Sequence, residues 1–179
     1  MIPMNIDDIV PRFEWVLDEM RQGMGFIKAS VPGVGHGELE ERLPLVSKPT
    51  GREFVASMWS DACSGADRES CVSLSDHVAA FQAGHMDSLA FDYTASAART
   101  DLGMRILFDG DLRDWPVEIL CYRDAILGSS SPRDSLGEAI QEFRRVYSVL
   151  GGTALFIGPN SPQAPCCESE CEDGWMRID

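Results

Sequence analysis

Positive charge is what this chain lacks most. Fifteen Lys and Arg face twenty-nine Asp and Glu, a net charge of −14 over 179 residues. Only two of the cations, Lys28 and Lys48, are lysines. Binding to phosphate backbones requires clustered Lys and Arg, and no basic run or face is evident. Nucleic acid is therefore not an expected partner, and anionic membrane surfaces are disfavoured for the same reason. The preference for Arg over Lys suggests a GC-rich coding genome and a bacterial source.

Long apolar runs are also missing. No stretch approaches the ~18 consecutive apolar residues of a membrane-spanning helix, so no membrane association is expected. The opening residues, Met1-Ile-Pro-Met-Asn-Ile-Asp-Asp8, carry neither the cationic start nor the apolar segment of a secretion signal. A cytoplasmic, soluble protein is expected. Catalytic signatures are absent too: there is no GxSxG elbow and no HExxH helix. Gly33-Val-Gly-His-Gly37 is rich in glycine, but its offsets do not match the dinucleotide fingerprint and Pro32 precedes it. No cofactor is expected.

What is present is enough apolar material for a core. Forty-four per cent of the residues are hydrophobic, close to an ordinary globular composition. The length suits about one domain. Of six cysteines, Cys121 lies in an apolar run and reads as a small core residue. Cys166, Cys167 and Cys171 cluster near the C-terminus. A closed zinc site requires four ligands, usually as two close pairs, and no second pair follows. Incidental thiols on an acidic tail are one reading and a redox or metal role the other; no metal is assigned.

Periodicity predicts the elements. Residues 5–22 form a helix from the spacing of Phe13, Val16, Leu17 and Met20, starting near Val10 because Pro11 suits only a first turn. The segment 30–51 reads as irregular, with one helical turn before Pro44. Residues 52–59 read as a strand, with a helix as the alternative, and 71–74 as a short strand. A helix capped by Ser75 runs to Gln82 and stops at Gly84. Strands follow at 88–95, 104–108 and 117–122, the last in a central position. Ser131-Pro132 opens a helix with a stripe of Leu136, Ile140, Phe143, Val146, Tyr147 and Leu150, and Gly151 ends it. A short strand spans 153–157. The expected fold class is α+β, a mainly antiparallel sheet of about four to six strands with two to three helices packed on one face. Residues 1–158 form the domain, and 159–179 an acidic, cysteine-containing C-terminal tail or arm.

The densest chemistry lies in Phe108-Asp-Gly-Asp-Leu-Arg-Asp-Trp115. Three carboxylates and a tryptophan in one connection suit recognition of a cationic surface, with the indole as anchor. Asp109, Asp111, Asp114 and Trp115, supported by Glu118, are the candidate binding residues. The spacing of an EF-hand loop is absent. A plain solvated hairpin over a packed Trp115 is the competing reading. Small size, acidity and missing catalytic motifs lead to an expected function: a cytoplasmic protein that occludes a basic protein partner such as a toxin domain, as immunity proteins and antitoxins do. The alternative is a small hydrolase or transferase using His77 or His85 with neighbouring carboxylates or cysteines. Asp76-His77 and His85-x-Asp87 are the pairs that such a reading would use. Trp15 and Trp59 are expected in the core.

Overall fold

The computed structural model describes residues 4–47, 55–57, 74–85, 88–96, 101–110, 115–159 and 174–179. Among them the chain forms α1 (Ile6–Phe13), α2 (Trp15–Arg21), β1 (Phe26–Val31), a 3-10 turn (His36–Glu38), α3 (Leu39–Ser47), β2 (Val55–Ser57) and α4 (Leu74–Gln82). It continues with β3 (Ser88–Ser96), β4 (Asp101–Asp109), β5 (Val117–Tyr122), α5 (Arg123–Leu127), α6 (Pro132–Leu150), β6 (Phe156–Gly158) and β7 (Met176–Arg177). The seven strands make one sheet in the order β2-β3-β4-β5-β1-β6-β7. Every strand pair in it is antiparallel. The class is α+β, as the periodicity predicts. The helices are more numerous than expected.

Strand residues alternate between two faces. Ile27, Ala29 and Val31 of β1, Met104, Ile106 and Phe108 of β4, and Val117, Ile119 and Cys121 of β5 all join one buried cluster with the helices. Helix α6 is its spine: Leu136, Ile140, Phe143, Val146 and Leu150 are fully buried, and the helix packs against α1, α3 and α5. Pro132 stands at its start, and Gly151 ends it at φ 70° with its N–H donating to Tyr147 O. Ser131 occupies the cap position, but its hydroxyl makes no capping bond.

Arginines of α6 tie distant segments to this core. Arg145 pairs with Glu142 and donates to Val46 O at the end of α3 (2.6 Å). Tyr93 of β3 donates to the same Glu142 (2.9 Å). Burial, then the Glu142 charge, pushes the Tyr93 phenol well above its ordinary value. Arg144 donates to Met4 O and Ile178 O, so one guanidinium holds segments from opposite ends of the chain.

Several expectations are corrected. The first helix starts at Ile6, not near Val10, because Asn5 accepts from Asp7 N–H and caps it. Pro11 then lies in the second turn, where proline costs about 3 kcal/mol. Burial of Ile9, Val10 and Phe13, at about 1.5–3 kcal/mol for each large apolar side chain, outweighs that cost. The break appears at Glu14, and Leu17 N–H closes a tighter turn on Glu14 O (3.0 Å). Strand β1 runs into the segment expected to be irregular at Ser30 and Val31, and α3 runs past Pro44 to Ser47. Leu74 belongs to α4 rather than to a strand, so Ser75 lies inside the helix and donates to Glu40 instead of capping. The stop at Gly84 holds: at φ 75° it lets His85 N–H reach back to Ala80 O (2.9 Å). Residues 71–73 lie outside the described residues, as does most of 52–59 apart from β2.

The final residues return to the sheet. Beyond β6, β7 pairs Arg177 with Phe156 and Met176 with Ile157. Arg177 grips Asp179 through two bonds of 2.8 and 2.9 Å, and Leu155 N–H donates to the same carboxylate. Trp175, 7% exposed, lies against Gly158. Its Nε1 is buried and makes no hydrogen bond among the described residues, a loss of about 1–3 kcal/mol. Burying an indole of about 150–250 Å² at ~25 cal/mol/Å² offsets this with about 4–6 kcal/mol.

A Cβ built at Gly158 would overlap the Trp175 ring. Gly158→Ala should therefore displace the indole, red-shift its fluorescence and lower stability by about 1–3 kcal/mol, measured by denaturant unfolding. An unchanged spectrum and midpoint would contradict this packing.

The clasp should also be acid-sensitive. Burial raises the Asp179 carboxyl, but the Arg177 and Leu155 hydrogen bonds together lower it further, so it sits below its usual range. A depressed folded value means the stabilisation is complete above the ordinary carboxylate value of ~4 and fades as pH falls through the lower one. Asp179→Asn should remove that component from the stability–pH curve.

Candidate functional site

The sheet face opposite the helices carries the charge. Alternation places Lys28 on β1, Asp92 on β3, Arg105 on β4, and Glu118 and Tyr122 on β5 away from the apolar cluster. Charges on a partly covered face are stabilised by pairing. Arg105 donates from Nε and Nη2 to the two oxygens of Asp92 at 2.6 and 2.7 Å. Tyr122 OH donates to the same carboxylate (3.3 Å), and the guanidinium lies 5.8 Å from the centre of the Tyr122 ring. The hydrogen bond to Asp92 holds Arg105 above its ordinary value, while burial first and Asp92 second raise Tyr122. Lys28, 8% exposed, donates from Nζ to Glu118 Oε1 at 2.9 Å.

Further along the same strands a pocket opens. Its volume is about 230 Å³, and its described lining is Ser88, Leu107, Phe108, Asp109, Trp115, Pro116 and Glu118. Register explains the gathering. Leu107 stands opposite Glu118, and Asp109 opposite Ser88, so the ends of β3 and β4 and the start of β5 meet. Asp109 is exposed and accepts from Gly110 N–H (2.8 Å). Trp115 keeps 45% of its surface in solvent, although aromatic burial is among the largest apolar gains available to a fold.

Three of the five candidate binding residues, Asp109, Trp115 and Glu118, thus line one pocket. Asp111 and Asp114 lie outside the described residues. Glu118 differs from the expected simple carboxylate because Lys28 engages it. Lys28, Ser88 and Leu107 were not anticipated. Lys28 lies in Phe26-Ile-Lys-Ala-Ser-Val31, a run that carries no signal of its pairing with Glu118.

Of the residues named for the enzyme alternative, Asp76, His77 and His85 are described. His77 is half-buried on α4 and His85 is exposed just after it. Neither is among the described lining of the pocket. Asp87, Cys63 and Cys71 lie outside the described residues, as do Cys166, Cys167, Cys171 and Trp59. Among the described residues no group of three or more His, Cys, Asp or Glu is placed to hold a metal. Trp15 is 40% exposed rather than in the core, and it borders Gly174. No helix among the described residues is long and apolar enough to cross a membrane. Comparison with known protein families, curated proteins and solved structures finds no match.

Cys121 is fully buried against the helices. Burial, reinforced by the Glu142 charge, pushes its thiol up to about 12. Because the thiolate is the reactive form, Cys121 should resist alkylation at pH 8 in the native protein and react on unfolding. Peptide mapping by mass spectrometry would check this, and rapid native labelling would contradict the packing.

Proposed function

We propose that this protein is a small, acidic, cytoplasmic binding protein that occludes a basic protein partner, in the manner of a bacterial immunity or antitoxin-type inhibitor. The observation that carries the proposal is one pocket holding Asp109, Glu118 and a half-exposed Trp115 on a molecule of net charge −14. The physical argument has two ranges. Beyond contact, a net negative field raises the encounter rate with a cationic surface, and salt weakens it over a screening length of about 8–10 Å. At contact, a tryptophan beside carboxylates supplies apolar area and directional hydrogen-bond acceptors together.

The intramolecular ion pairs sharpen the argument. Arg21 is paired with Asp18, Arg105 with Asp92, Arg145 with Glu142 and Arg177 with Asp179. Each pair is neutral, so the excess resides in the other carboxylates, Asp109 among them.

The test is capture from a lysate of the source cells on immobilised protein at low salt. The wild type should retain a protein of high isoelectric point that elutes as salt rises. The Asp109→Lys/Trp115→Ala double variant should retain at least about tenfold less of it, with an unchanged circular dichroism spectrum. Equal retention by a folded double variant would overturn the role of the pocket, and failure to retain any basic protein would overturn the proposed function.

A further inference from the structure

The geometry points to an arginine side chain of the partner, rather than a lysine, as the occupant of the Asp109–Trp115 pocket. This inference rests on the binding function proposed above and names what the site takes.

The first argument is shape and charge. The pocket sets the exposed carboxylate of Asp109 beside the half-exposed indole of Trp115, with Leu107 and Pro116 as apolar wall. A guanidinium is planar, weakly hydrated and able both to stack on an aromatic face and to donate two parallel bonds to a carboxylate. An ammonium is compact and strongly hydrated, so it surrenders more hydration on entering an apolar-walled pocket. The volume of about 230 Å³ is ample for such a side chain.

The second argument comes from the fold itself. On the same sheet face, Arg105 already makes this arrangement internally: two bonds to Asp92, with its guanidinium over the Tyr122 ring. Arg105, Leu107 and Asp109 alternate along one side of β4, and Glu118 and Tyr122 along one side of β5. The pocket thus repeats, at the end of the strands, the carboxylate-and-aromatic arrangement that holds an arginine in the middle of them, and among the described residues no cation engages its Asp109.

The two carboxylates are not equivalent. Lys28 at 2.9 Å offsets the charge of Glu118, so Asp109 carries the net attraction among the described lining residues. Replacing Asp109 should therefore weaken binding far more than replacing Glu118.

The experiment titrates the full chain with tetra-arginine and with tetra-lysine. These probes have equal charge, so long-range attraction cancels in the comparison. Indole N–H resonances report the site, with that of Trp115 identified by Trp115→Phe. Tetra-arginine should shift the Trp115 resonance saturably and bind at least about threefold tighter than tetra-lysine. Asp109→Asn should lower tetra-arginine affinity about fivefold, Glu118→Gln should change it less than twofold, and Trp115→Phe should narrow the preference. Equal affinity for the two peptides, or shifts confined to other indoles, would overturn the arginine pocket while leaving the acidic-binder reading standing. Absence of binding by either peptide at low salt would overturn both.

Discussion

The two-faced sheet is the constraint on which the rest of this molecule depends. Period-two alternation in β1, β4 and β5 delivers a continuous apolar surface to the helices, and the same geometry leaves every intervening side chain on the other side. Lys28, Asp92, Arg105 and Glu118 stand there with limited access to water, where an isolated charge would be costly. The fold answers by matching each cation to a carboxylate across neighbouring strands. Pairing across strands also resists slippage, because a one-residue shift would turn these charges into the core.

That matching has a boundary. It joins Arg105 to Asp92 and Lys28 to Glu118, and among the described residues no cation is paired with Asp109, where β4 ends. There the strands contribute Asp109 and Glu118, and Trp115 remains half in solvent. The proposed recognition of a cation draws on the same carboxylate chemistry that stabilises the centre, applied at Asp109, which no cation among the described residues engages.

Legibility in the sequence tracked how local each determinant is. Helix α6 and strands β3, β4 and β5 were readable because their periodic residues lie in contiguous runs, with proline and glycine bounding α6, Gly110 following β4 and Pro116 preceding β5. Asp109, Trp115 and Glu118 could be named together because they lie close in the sequence, while Asp111 and Asp114 lie outside the described residues. Strand β1 was not readable. Its Lys28 suggests solvent, and Glu118, ninety residues away, is the carboxylate that pairs with that lysine inside the sheet. The early start of α1 and the continuation of α3 past Pro44 were missed for a related reason: burial of Ile9, Phe13, Leu43 and Val46 outweighs a local proline penalty that a window of sequence registers at full strength. The seating of Trp175 depends on the bare backbone of Gly158, a steric relation with no sequence signature.

The position of β1 has a kinetic corollary. Its partners, β5 and β6, come from the distant second half of the chain. Pairings of such wide sequence separation slow folding, since loop-closure entropy must be met before the contacts form. On the ribosome β1 emerges with both hydrogen-bonding sides vacant, and it stays so until residues 117–122 and then 156–158 follow. A segment that ends as the interior of the sheet thus spends synthesis as a temporary edge, the condition under which nascent chains recruit chaperones or mispair with one another.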